Sequence, residues 1–114
     1  MNTINVNLGC VVYTLTNHGI EARWVSKKND STEQGLGIGK RLTPVNESKK
    51  FEGTFEIIYH STDGNTSPTL HLTIVFTAGF YELTWKHDGE ITDIGLGLEH
   101  EVVLLSSYTE VISR

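Results

Sequence analysis

Phe80-Tyr81-Glu82-Leu83-Thr84-Trp85, a His87-Asp88-Gly89-Glu90 turn and then Ile94-Gly95-Leu96-Gly97-Leu98 make up the stretch on which the fold turns. Tyr81, Leu83 and Trp85 alternate with Glu82 and Thr84, the period-two pattern of a half-buried strand. The whole stretch therefore reads as a two-stranded hairpin. A looser copy stands about sixty residues earlier, where Gly19-Ile20-Glu21-Ala22-Arg23-Trp24 precedes Gly35-Leu36-Gly37-Ile38-Gly39.

Outward from this hairpin nearly every segment keeps period two, and no long segment has helical spacing. Strands are expected over residues 4–15, 20–26, 34–42, 50–60, 69–77, 80–86, 91–98 and 101–111. Thr16-Asn17-His18-Gly19 and Thr62-Asp63-Gly64-Asn65 are turn signals, since Asn, Asp and Gly accept positive φ. Residues 27–32 are polar and read as a loop. Residues 43–48 form the longest connection and the best candidate for mobility. Eight short strands with no room for a crossover helix must be antiparallel neighbours. The expected fold is all-β, an eight-stranded antiparallel up-and-down barrel, which leaves no exposed sheet edge. Its two four-stranded halves, residues 1–60 and 67–114, read as an internal duplication. A sandwich of two four-stranded sheets is the alternative.

A chain of 114 residues with 38 % apolar and 20 % charged side chains is one domain with a core of its own. Its net charge of −5 argues against nucleic acid, which needs a continuous basic face; Lys27-Lys28, Lys40-Arg41 and Lys49-Lys50 are scattered. The single cysteine, Cys10, cannot form an intrachain disulfide and is expected in the core. No apolar run is long enough for a membrane-spanning helix. The first residues, 1–5, lack the features of a signal peptide, so the expected location is cytoplasmic, with a secreted mature chain as the alternative.

Phe51-Glu52-Gly53-Thr54-Phe55, the Asp63-Gly64 turn, Leu70-His71-Leu72-Thr73-Ile74, Tyr81-Glu82-Leu83-Thr84-Trp85 and Gly95-Leu96-Gly97-Leu98 fall in a familiar order. In this half the chain resembles a small uncharacterised bacterial family whose repeat runs Tyr-x-x-x-Trp and then Gly-x-Gly. The first half departs from it, with Ile20 where Tyr is expected. In shape the chain is similar to the lipocalin and avidin class of barrels. The resemblance implies a fold, and no catalytic residues come with it.

Taking the apolar faces as inward places Val6, Leu8, Cys10 and Val12 of strand one in the lumen, with Ile20, Ala22 and Trp24 of strand two. Leu36, Ile38, Leu96, Leu98 and Val102 are assigned inward on the same ground. Phe55, Ile57 and Tyr59, then Leu70, Leu72, Ile74 and Phe76, then Tyr81, Leu83 and Trp85, and finally Leu104 and Tyr108 complete the interior. An eight-stranded lumen is just wide enough to be filled by side chains or to hold one small ligand. Ala22, Gly53 and Ser106 are small positions where room could remain. Trp24, Tyr59, Tyr81, Trp85 and Tyr108 recur at matching places in the two halves and combine apolar faces with N–H or O–H groups. They are the candidate ligand-binding residues, for a small hydrophobic or aromatic molecule. A void above roughly 300 Å³ would favour binding, and a filled lumen an interaction module.

The glycines of strands three and seven share a face with Arg41, Asp93 and Glu99 and are expected to point outward. They mark either strong coiling of the wall or a flat contact for a partner or second copy, which makes a homo-oligomer the second functional candidate. Gly-Leu-Gly-Ile-Gly-Lys lacks the spacing and helix of a phosphate loop. The five histidines have no metal-ligand spacing. His60 and His100 border strand ends, where one acid–base role at a barrel mouth is conceivable, with satisfied surface imidazoles as the alternative. Glu52/Glu56 and Glu99/Glu101 alternate along strands without forming a catalytic pair, and Ser106-Ser107 lacks a nucleophile elbow. The expectation is a non-enzymatic protein without metal or cofactor.

Overall fold

Tight turns set the strand boundaries: Asn29, Ala78-Gly79, Asp88-Gly89 and Glu101 all take positive φ, which reverses the chain with the twist that antiparallel strands require. The computed structural model describes residues 7–111, so Val6 and the leading segment 1–5 lie outside it. Between the turns run β1 (Asn7–Leu15), β2 (Gly19–Lys28), β3 (Ser31–Arg41), β4 (Gly53–Ser61), β5 (Leu70–Thr77), β6 (Phe80–His87), β7 (Glu90–His100) and β8 (Val103–Glu110). Each strand pairs antiparallel with the next, and β8 returns to β1, from Gly9 opposite Tyr108 to Thr14 opposite Val103. The sheet is a closed up-and-down barrel with no helix among the described residues, and the sandwich alternative falls.

The core is the inward face of this ring. Ile20, Phe55, Ile57, Leu72, Ile74, Leu83 and Leu104 are buried in it, as expected. On β1, β3 and β7 the expected faces are reversed. Val11 and Tyr13 point inward, while Leu8 and Cys10 are exposed and Val12 is half-buried. Cys10 is therefore not a core residue. The cause is register: directly opposed residues share a face, and Tyr13 lies opposite Ala22 and Val11 opposite Trp24. With Ala22 and Trp24 inward, Val11 and Tyr13 must follow.

The same rule turns the glycines inward. Gly35, Gly37 and Gly39 lie opposite Trp24, Ala22 and Ile20. Leu36 and Ile38 are then left outside, 62 % and 67 % exposed. On β7 a bulge does it. Trp85 pairs with Asp93 but Lys86 with Ile91, so Thr92 is an extra residue. That extra residue sends Asp93, Gly95 and Gly97 inward and leaves Leu96 and Leu98 61 % and 62 % exposed. Val102 sits in the β7–β8 turn, exposed as well. Small barrels alternate small with large residues on the inner face, and here the glycines make room. A Cβ on Gly37 would lie 2.8 Å from Tyr59 Cδ1, and one on Gly97 3.1 Å from both Leu83 Cδ1 and Leu104 Cδ1. The glycines of β3 and β7 thus face the lumen and not the outer surface.

The β3–β4 connection packs over one end of the barrel. Phe51 is buried beneath it. The Arg41 guanidinium donates to the carbonyls of Glu52 and Lys50 and stacks 4.6 Å from the centre of the Phe55 ring. Glu52 Oε2 accepts the Phe76 N–H at 2.9 Å, Oε1 accepts from Asn46 Nδ2 at 3.0 Å, and Lys49 Nζ lies 4.6 Å from the centre of the Phe76 ring. Those hydrogen bonds hold the Glu52 carboxyl below its usual range, chiefly through the Phe76 N–H.

Candidate functional site

Ile20, Ile57, Leu72, Leu83 and Leu104 fill the middle of the lumen, but the packing does not continue to the far end. All even-numbered strands run toward that end, and each carries one aromatic side chain inward near its finish. Trp24 comes from β2, Tyr59 from β4, Trp85 from β6 and Tyr108 from β8. The odd-numbered strands add Val11, Tyr13, Leu70 and Asp93, with Ser26 at the rim. Together they surround a predominantly apolar cavity of about 210 Å³, open at this end among the described residues.

Hydrogen bonds fix the rings in place. Trp85 Nε1–H donates to Tyr59 Oη at 2.7 Å, and the Tyr59 and Tyr13 hydroxyls share a bond of 2.6 Å. Trp24 Nε1–H donates to the Leu36 carbonyl at 3.0 Å, and the Tyr108 hydroxyl to the Val25 carbonyl at 3.0 Å. The Trp85 and Tyr108 rings meet edge to face at 6.0 Å, a favourable arrangement of their quadrupoles. Gly9 is needed beneath Tyr108, because a Cβ there would stand 2.1 Å from the ring.

Burial pushes the Tyr13 and Tyr59 phenols well above their ordinary pKa, and that of Tyr108 up to about 12, so all three stay protonated. Burial also raises the Asp93 carboxyl, and the nearby Glu110 adds to the rise. Among the described residues no ion pair involves Asp93.

Of the five candidate residues, Trp24, Tyr59, Trp85 and Tyr108 line this one cavity, so both indoles are enclosed together. Tyr81 does not join them. It stands four residues before Trp85 on the same strand, about 13 Å nearer the closed end. There its hydroxyl donates to Glu99 Oε1 at 2.6 Å and its ring packs edge to face on Phe76. Tyr13, Val11 and Asp93 belong to the site without having been expected there, since their faces were assigned outward. A parity count across the Leu15/Ile20 turn, from Trp24 as the fixed point, would have found Val11 and Tyr13; Thr92's bulge hid Asp93.

His60 borders the open end and His100 the closed one, so the two do not share a mouth. No group of three or more His, Cys, Asp or Glu among the described residues is placed to hold a metal ion.

At about 210 Å³ the cavity falls short of the roughly 300 Å³ at which drug-sized pockets begin. It exceeds the ~150 Å³ of an apolar cavity that accepts benzene. The fold is the class of eight-stranded up-and-down barrels, and no known family, curated protein or solved structure matches the chain.

Proposed function

We propose that the chain is a non-enzymatic binding protein for a small, ring-bearing apolar molecule held at the open end of the barrel. The observation that supports it is the convergence of Trp24, Tyr59, Trp85 and Tyr108 on one solvent-open cavity, each oriented by its own hydrogen bond. Burying about 150 Å² of such a ring is worth ~4 kcal/mol at 25 cal/mol per Å². Affinity for a one-ring probe should accordingly be modest, with Kd on the order of 1 mM. Titration of one-ring hydrocarbons and aromatics against the emission of Trp24 and Trp85 tests this, with calorimetry alongside. A shift or quench that saturates is expected, and it should be lost in Ser26→Trp, which obstructs the rim. No response from any probe up to its solubility would overturn the proposal.

A second role has its own support. Leu36 and Ile38 on β3, and Leu96 and Leu98 on β7, are each more than 60 % exposed, an unusual amount of aliphatic surface for two strands. A homo-oligomer joined through these outward faces, not through bare glycine, would cover them. Sedimentation of the wild type and of Ile38→Lys/Leu98→Lys decides it. A wild type that is monomeric at every concentration removes this role.

A further inference from the structure

We propose that the cavity selects ring-bearing molecules that carry an oxygen acceptor, a carbonyl above all, because the Tyr13–Tyr59–Trp85 cluster leaves one phenolic proton without a protein acceptor. This deepens the binding role proposed above and rests on it.

The inference comes from counting protons. The three groups bring one N–H and two O–H protons to two hydroxyl oxygens. Trp85 donates its proton to Tyr59, and a second proton lies in the Tyr13–Tyr59 bond. If Tyr13 donates in that bond, the proton of Tyr59 is left over; if Tyr59 donates, the proton of Tyr13 is. Neither hydroxyl makes another hydrogen bond among the described residues. Tyr13 has no surface that a water can touch, whereas Tyr59 is half-buried and lines the cavity, so the arrangement that satisfies the cluster has Tyr13 donating and the Tyr59 proton turned to the cavity contents. Burial keeps both phenols neutral, and the proton is present at any ordinary pH. An unpaired buried donor costs about 1–3 kcal/mol. A water can meet that need in the empty cavity, and a ligand that displaces the water must supply an acceptor or lose affinity.

The sign of one comparison tests this. Acetophenone and ethylbenzene have nearly the same shape, and only the first offers an acceptor. In a cavity with no free donor, burying the ketone oxygen costs its hydration, and acetophenone binds about tenfold more weakly than the hydrocarbon. With the free phenolic proton it binds at least as tightly. Calorimetric Kd values for the pair should therefore favour acetophenone or be equal in the wild type. Tyr13→Phe keeps one unpaired proton, now fixed on Tyr59, and should keep that order. Tyr13→Phe/Tyr59→Phe/Trp85→Phe removes all three donors and should reverse it, with ethylbenzene binding showing that the site persists. Tighter binding of ethylbenzene in the wild type or in Tyr13→Phe overturns this inference alone. If neither compound binds the wild type, the binding role fails and this inference fails with it.

Discussion

Gly37→Ala adds one methyl group where β3 passes beneath Tyr59, one of the residues that line the cavity. The new Cβ would stand 2.8 Å from Tyr59 Cδ1, 3.1 Å from Cε1 and 3.2 Å from the Ala22 methyl. Carbon atoms need about 3.5–4.0 Å, so something must move by several tenths of an ångström. Ala22 is fixed to its strand. Tyr59 is a side chain, but its hydroxyl is tied to both Trp85 and Tyr13. Overpacking of this kind costs about 1–3 kcal/mol, and loosening two hydrogen bonds adds about 1 kcal/mol each if they break. Against this, Gly→Ala gains ~0.4–1 kcal/mol by restricting the unfolded chain. The net expectation is a loss of about 2 kcal/mol, a fall in Tm of roughly 10 °C for a chain of this size. Circular dichroism melts and urea titrations measure it, with Leu36→Ala next door as the control, expected within about 0.5 kcal/mol. If the glycines faced solvent, the substitution would be neutral or stabilising. A Tm for Gly37→Ala at or above wild type would refute the inward face of β3 and the packing drawn around Tyr59.

Two carboxylates should respond to pH in opposite senses. Asp93 has a raised folded-state pKa, so its ionisation costs the fold; the cost is complete above the folded pKa and absent below the unfolded one. Asp93→Asn should raise Tm at about pH 7, with the gain vanishing near about pH 3. Glu52 has a lowered pKa, so its stabilisation is present above the unfolded pKa and is lost as pH falls through the folded one. Glu52→Gln should lower Tm at about pH 7 and approach wild type on acidification through the carboxylate range, as a series of melts from neutral to acid will show. Phe51→Ala opens a hole beneath the closed end and should cost about 3–5 kcal/mol in urea titrations, while one-ring probes at the other end retain their affinity within about twofold, a shift of less than ~0.5 kcal/mol.

The barrel and its strand order were legible because periodicity and turn chemistry are local. β2, β4, β5 and β6 pair apolar residues with polar ones, and their inward faces follow directly. β1, β3 and β7 do not: β1 is apolar on both faces, and Leu36, Ile38, Leu96 and Leu98 out-compete glycine in any count of hydrophobicity. Their orientation is a property of register, which the two-residue Asn29-Asp30 turn sets for β3 and the Thr92 bulge resets for β7. Hydrophobicity alone therefore chose the wrong face three times, and with it missed Tyr13 and Asp93. Four of the five aromatic candidates line the one cavity because they sit on strands where pattern and register agree. Tyr81 shares its face with Trp85, and only distance along the strand separates it from the cavity.

The ring of strands is not equally strong all the way round. β2 and β3 are laced from Gly19–Lys40 to Lys28–Ser31, but β4 and β5 pair only from Gly53–Ile74 to Ile57–Leu70. Beyond that point β4 bonds to the segment that follows it, through Ser67 N–H to the Tyr59 carbonyl and a bridge from His60 to Thr66. A closed hoop parts first at its shortest seam, and this seam lies beside Tyr59. Brief unzipping there would part the wall beside the aromatic chamber while the other seven joints stay fastened, and amide exchange would begin in residues 57–70.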